Sequence, residues 1–217
     1  DKKTLGIRDI RVAVRRLRHF ARTGTPDEFD LNGTISATAN NGGYLDVKMM
    51  PERKNRVKLL LFLDVGGSMD PYIQACEELF SASKSEFKDL EHFYFHNCPY
   101  EILWKNNPRS SEDIISTWDI IRKYGSDYRV LFVGDASMSP YEVAYAGGSI
   151  EHWNEEAGSV WLERITSHFD SVAWLNPETK KIWNSSASNK MIREIFEEKM
   201  YEMNLSGIEE AMKALSR

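Results

Sequence analysis

The sequence predicts an α/β protein: a Rossmann-like, doubly wound and mostly parallel sheet with an antiparallel edge strand and helices on both faces. Three observations carry this expectation. Leu59–Leu63 in "LLLFLD" and the run "YRVLFVGD" (128–135) are dense apolar stretches of strand length, as expected for strands buried on both faces. Strand and helix signals alternate from there to the end of the chain, which is the pattern of parallel strands joined by crossover helices. Both buried runs end in an aspartate, Asp64 and Asp135, at the carboxyl edge where such sheets place ligands.

Element by element, residues 7–22 form an amphipathic helix. Ile7, Ile10, Val14, Leu17 and Ala21 make its apolar stripe, and Arg8, Arg11, Arg15, Arg18 and Arg22 its cationic face. "RTGTPDEFD" is a breaker-rich loop. "NGTISATANNGG" reads as a short helix capped by Asn32 and stopped by Gly42 and Gly43, with a strand as the alternative. "YLDVKMMP" alternates like a half-exposed strand, and the polar turn "ERKN" suggests that it pairs antiparallel with Val57–Leu63. A helix over about 71–86 opens with Asp70 as cap and Pro71 at its first position, with Tyr72, Cys76, Leu79 and Phe80 inward. "HFYFHN" and "YEILWK" form a strand and its hairpin partner. Helices follow at about 112–123, 141–146 and 155–168, "SVAWLN" is a strand, and two helices close the chain. The last of these starts at Ser206, with Glu209 completing a capping box.

Composition narrows the class. The chain has 217 residues, 41% of them apolar and 28% charged, the balance of a soluble globular protein. No apolar stretch approaches the ~20 residues that span a bilayer. Membrane insertion is therefore not expected, and a cytoplasmic address is. Eight Lys/Arg against two Asp give residues 1–22 a local +6, which leaves −11 for the rest of a chain with formal charge −5. The cationic helix is read as a solvated face packed beside an acidic body. No aromatic interleaving supports a nucleic-acid platform. Cys76 and Cys98 are read as reduced core residues and not as a bridge.

Chemistry concentrates at the carboxyl edge. In a parallel sheet Asp64 and Asp135 share one edge and can converge. Ser68 follows Asp64, Ser137 and Ser139 follow Asp135, and a third loop carries Ser116 and Thr117. Carboxylates and hydroxyls without His or Cys form a hard, oxygen-only donor set, suited to Mg²⁺, Mn²⁺ or Ca²⁺ and not to zinc. Such an ion would offset the cost of desolvating Asp64.

The loop Asp64-Val65-Gly66-Gly67-Ser68 resembles the first loop of the metal-ion-dependent adhesion site of von Willebrand factor type A (VWA) domains. That family's pattern is D-x-S-x-S after a central apolar strand, a threonine from a second loop and an aspartate from a third. Asp64, Ser68 and Asp135 match it, and Thr117 is the best match for the threonine. The basic helix, "NGTISATANNGGYLDV", "PERKN" and the late "WLNPE" are similar to the CoxE-like bacterial subgroup, whose members are often encoded beside MoxR-type AAA+ ATPases. The resemblance implies an N-terminal basic helix and lead-in over 1–50 and a VWA-like domain over 51–217. It further implies a divalent cation, Mg²⁺ first, held by Asp64, Ser68, Thr117 and Asp135, and a protein partner whose Asp or Glu completes the coordination. An accessory role to a MoxR-type ATPase follows in the same way. Gly66 departs from the pattern: one hydroxyl is absent, leaving either water in its place or a remnant that holds no metal.

The rival reading is an Mg²⁺-dependent phosphatase of the haloacid-dehalogenase type, which also pairs a strand-end Asp with a later Gly-Asp. Its first motif is D-x-D, however, and the second acid would fall at Gly66. Without that acid, proton transfer to the leaving group loses a factor of ~10²–10⁴. There is no Walker-type phosphate loop. His92 and His96, four apart in a strand, are read as an exposed or semi-buried face and not as a metal pair. His96 beside Cys98 lacks an orienting third group for thiol catalysis. Trp153, Trp161, Trp174 and Trp183 are read as core or groove lining. "AGGSIEHW" is read as a loop near the metal edge, and Tyr72, Tyr141 and Tyr145 as aromatic anchors flanking it.

Overall fold

A computed structural model describes residues 7–20, 28–50 and 57–216. In chain order the elements are α1 (Ile7–Phe20), β1 (Glu28–Phe29), α2 (Leu31–Asn40), β2 (Met49–Met50), β3 (Lys58–Asp64), α3 (Ile73–Glu86), β4 (Asp89–Phe95), β5 (Ile102–Trp104) and β6 (Ile114–Ser116). Then come α4 (Thr117–Lys123), β7 (Arg129–Val133), α5 (Pro140–Ala144), α6 (Gly158–His168), β8 (Ser171–Asn176), α7 (Lys180–Trp183), α8 (Ala187–Ile195), β9 (Met200–Glu202) and α9 (Leu205–Leu215). A seven-stranded sheet runs in the order β6-β5-β4-β3-β7-β8-β9. β3 is parallel to both β4 and β7, and β8 and β9 continue in parallel. The β4–β5 and β5–β6 pairs are antiparallel and form that edge. The fold class read from the sequence is the observed one.

Period-2 alternation divides the central strands between two cores. Leu60 and Phe62, with Phe93, Phe95, Val130, Phe132 and Trp174, face a core completed by α4, α6 and α8. Leu59, Leu61 and Leu63, with Leu131, Val133 and Leu175, face α1, α3 and α9. On the first face Phe132 stacks between Phe62, at 4.6 Å, and Trp174, at 5.3 Å. On the second, Ile10, Ala13 and Val14 seat α1 against α3 and α9. Arg15 pairs with Glu86 at 2.9 Å and Arg16 with Glu209 at 2.8 Å, so two cations of α1 meet acids of the helices it packs on. The side chains of Ile7, Leu17 and Arg18, residues Ala21 and Arg22, and the turn at 51–56 lie outside what the structure describes.

Several local expectations are corrected. Of "YLDVKMMP" only Met49–Met50 forms a strand, and it pairs with Glu28–Phe29 in a separate two-stranded sheet. β3 has no free edge for it, because β4 and β7 occupy both sides. The cap of α2 is Asp30, which accepts from Gly33 N at 2.9 Å, and not Asn32. Gly67–Tyr72 is a 3-10 segment with Asp70 and Pro71 inside it, and α3 begins only at Ile73 with Tyr72 at its N-cap, so Asp70 is not the cap of α3. The helix expected over 112–123 starts at Thr117, because Ile114–Ser116 extends the sheet beyond β5. Asn204, not Ser206, caps α9, accepting from Gly207 N at 2.8 Å. A Cβ at Gly207 would lie 2.0 Å from Glu202 O, so the chain enters this helix by a close backbone approach open only to glycine. β9, three residues long, is too short to show alternation and was not foreseen.

Candidate metal centre

The site sits at the carboxyl ends of β3, β4 and β7. Asp64 is the last residue of β3 and is buried. Its Oδ1 accepts from Gly66 N and from Asn97 N, both at 2.9 Å. Its Oδ2 is buried with no hydrogen-bond partner among the described residues. Burial pushes the carboxyl up to about 7; the two N–H donors oppose this, and the charges of Asp135 and Glu142 add to it.

Asp135 follows β7 by two residues and is also buried. Its Oδ1 accepts from Ser137 N at 2.9 Å, and the exposed Ser68 hydroxyl hydrogen-bonds the same carboxylate. Burial again raises its pKa, and Glu178 adds a like charge. Asp64 at the end of β3, Ser68 in the 3-10 segment after it and Asp135 just past the neighbouring β7 are thus brought to one edge of the sheet. Thr117 is placed differently. It is fully buried at the start of α4, and its hydroxyl donates to Tyr100 O. The Tyr100 hydroxyl in turn donates to Glu142 O at 3.1 Å. No described hydrogen bond joins Thr117 to Asp64, Ser68 or Asp135.

Two residues of the site escaped sequence reasoning. Asn97 lies just past β4 with φ 59° and donates through Nδ2 to the Glu142 carboxylate at 3.0 and 3.3 Å. Glu142 is buried in α5, where it also accepts from Ser139 N in a capping box. The S-x-x-E spacing at 139–142 was a legible signal for that cap. Nothing local marked Asn97, whose role comes from β4 lying beside β3.

Among the described residues, no Lys or Arg pairs with Asp64, Asp135, Glu142 or Glu178. Tyr72 donates to Glu178, which ties the 3-10 segment to the loop after β8; burial, followed by that bond and its charge, pushes the phenol up to about 12. Three buried carboxylates without a counter-cation among the described residues are costly unless they are protonated or paired with a cation. No group of three or more His, Cys, Asp or Glu among the described residues is placed to hold a metal. The oxygen donors that this edge offers an ion are two carboxylates, Asp64 and Asp135, and neutral oxygens.

A cavity of about 330 Å³ opens beside Asp64, between α3 and β4, lined by Gly66, Ile73, Phe80, Tyr94 and Arg109 among others. Arg109 is held by Glu151 at 2.5 Å, and His96 lies 3.6 Å from the same carboxylate. His92 packs instead between the rings of Phe80 and Tyr94, and burial lowers its pKa. The two histidines thus have separate surroundings. Trp161, Trp174 and Trp183 are core, while Trp153, Tyr141 and Tyr145 are exposed. Both cysteines are free, and burial raises each thiol.

A mostly parallel sheet with an aspartate-and-serine loop after its central strand and a second aspartate after the next is the arrangement of a VWA-type α/β fold. Residues 5–101 match the family model described as VWA domain containing CoxE-like protein, a stretch that includes β3 and the Asp64 loop. That stretch, and the sheet built around it, make the chain similar to CoxE-like VWA domain proteins. No curated protein and no solved structure gives a match to the chain. Among the described residues no helix is long and apolar enough to cross a membrane.

Proposed function

We propose that this chain is a non-enzymatic, metal-ion-dependent protein-interaction domain. The observation that carries the reading is Asp64 Oδ2: a buried carboxylate oxygen without a hydrogen-bond partner among the described residues, on a side chain flanked by the charges of Asp135 and Glu142. Asp64, Ser68 and Asp135 would hold a divalent cation, Mg²⁺ in preference to Mn²⁺ or Ca²⁺, with Thr117 joining only if its hydroxyl leaves Tyr100 O. When bound, the ion offsets the buried charge and presents an incompletely filled shell to a partner's Asp or Glu, a charge-assisted contact. Exposed Tyr141, Tyr145 and Trp153 are suited to flank such a partner as anchors.

Likeness to the CoxE-like family over residues 5–101 supports a cytoplasmic, bacterial role in assembling or maturing another protein beside a MoxR-type AAA+ ATPase. Neither nucleic acid nor membrane is a partner in this reading. The phosphatase alternative is disfavoured at Gly66, where a side chain carrying the required second acid would run into Asn97 Oδ1.

Calorimetric titration with MgCl₂ and MnCl₂, together with a phosphatase assay on p-nitrophenyl phosphate, tests the reading. Saturable binding that Asp64→Asn removes, without turnover, is expected. Turnover that vanishes in Asp64→Asn, or no ion binding by the wild-type chain, overturns it.

A further inference from the structure

Gly66 stands where the adhesion-site loop carries a serine hydroxyl. A Cβ built at Gly66 would lie 2.2 Å from Asn97 Oδ1 and 3.3 Å from Asp64 Oδ1. The space a side chain at 66 would enter is therefore already held by a carboxamide oxygen. Two contacts orient that oxygen. Asn97 Nδ2 faces the Glu142 carboxylate, which only accepts, so the amide nitrogen points to Glu142 and the oxygen towards Gly66. Asn97 N donates to Asp64 Oδ1 at 2.9 Å, which pins the backbone beside the same carboxylate. The left-handed φ of 59° that this requires is one asparagine tolerates better than most residues. Among the described residues nothing donates to Asn97 Oδ1.

We propose that Asn97 Oδ1 is a ligand of the divalent cation, replacing the hydroxyl that Gly66 cannot supply. This rests on the metal-dependent reading of the site. An amide carbonyl is a neutral, hard oxygen of the same class as a serine hydroxyl, so the exchange keeps both the charge of the donor set and its preference for Mg²⁺-like ions. It also links two positions 31 residues apart: glycine at 66 leaves room for the asparagine oxygen, and a serine at 66 would need a small residue at 97.

The test titrates MgCl₂ and MnCl₂ calorimetrically into four proteins: wild type, Asp64→Asn, Asn97→Gly, and Asn97→Gly combined with Gly66→Ser. Glycine at 97 keeps the left-handed backbone and its N–H to Asp64 while removing the side-chain oxygen. Binding by wild type, its loss in Asp64→Asn, a weakening of about tenfold or more in Asn97→Gly, and recovery of most of that loss in the double variant are expected. If Asn97→Gly binds like wild type while Asp64→Asn does not, the ligand role falls and the metal site stands. A loss that Gly66→Ser does not reverse makes Asn97 a purely structural residue and also overturns the ligand role. No binding by wild type removes the metal reading and this inference with it. Circular dichroism and thermal unfolding monitor the fold, and Asn97→Ala replaces Asn97→Gly with the same readings if the latter does not fold.

Discussion

Gly134 lies against Asp64 so closely that a Cβ there would come within 2.8 Å of Asp64 Cβ and 3.0 Å of Asp64 Oδ2. The far side is closed as well, because Trp174 Cζ2 is 3.2 Å from the same point and Trp174 Nε1 donates to Gly134 O at 2.7 Å. The neighbouring strand can pass the buried carboxylate only without a side chain at this position.

Gly134→Ala is therefore expected to destabilise the fold by about 1–3 kcal/mol, the usual cost of overpacking a tight site. Urea unfolding would show a lower midpoint at unchanged slope. An unaltered midpoint would mean that the β7 end has room to shift.

The elevated Asp64 pKa makes the metal-free protein pH-sensitive. Folded Asp64 titrates near 7 against an ordinary 3.8, so between those values the folded state binds a proton that the unfolded state has released. The stability this proton confers is complete below about 3.8 and is lost as pH rises through about 7, on the order of 4 kcal/mol at most. Asp135 is shifted in the same direction, and the lowered His92 acts oppositely, adding stability as pH rises towards the ordinary histidine range. The wild-type minus Asp64→Asn difference isolates Asp64. In EDTA, thermal unfolding from pH 5 to 8 should show the wild-type Tm falling relative to the variant. A constant difference would contradict the burial argument.

The cysteines should be poor nucleophiles. Burial raises Cys76 to about 12 and Cys98 well above its ordinary value, with Asp64 next in both cases. At pH 8 the thiolate fraction of Cys76 is about 10³-fold below that of a free cysteine. Iodoacetamide should label the guanidinium-unfolded chain rapidly and the native chain slowly at both positions. Native labelling at the unfolded rate would disprove it.

Residues far apart in the chain explain where sequence reading stopped. Met49–Met50 was expected beside β3 because the two runs are separated by a turn, yet pairing is decided by which strands compete for the edge, and β4 and β7 win it. Asp70 looked like a helix cap, but Met69 N already closes onto Gly66 O at 2.9 Å within a 3-10 segment, and the α-helix proper starts later. Thr117 was the best match for the threonine of the family pattern, and only packing revealed that its hydroxyl is taken by Tyr100.

By itself the sequence determined the α/β class, the buried central strands and the common edge shared by Asp64 and Asp135. Each of these follows from local periodicity and from the direction that parallel pairing imposes. Only the tertiary structure decided that Asn97, 33 residues beyond Asp64, shares its carboxylate and fills the space above Gly66, and that Glu142 turns the amide. Those contacts depend on which strands become neighbours in the sheet, a choice made by the whole core and written in no short stretch of the chain.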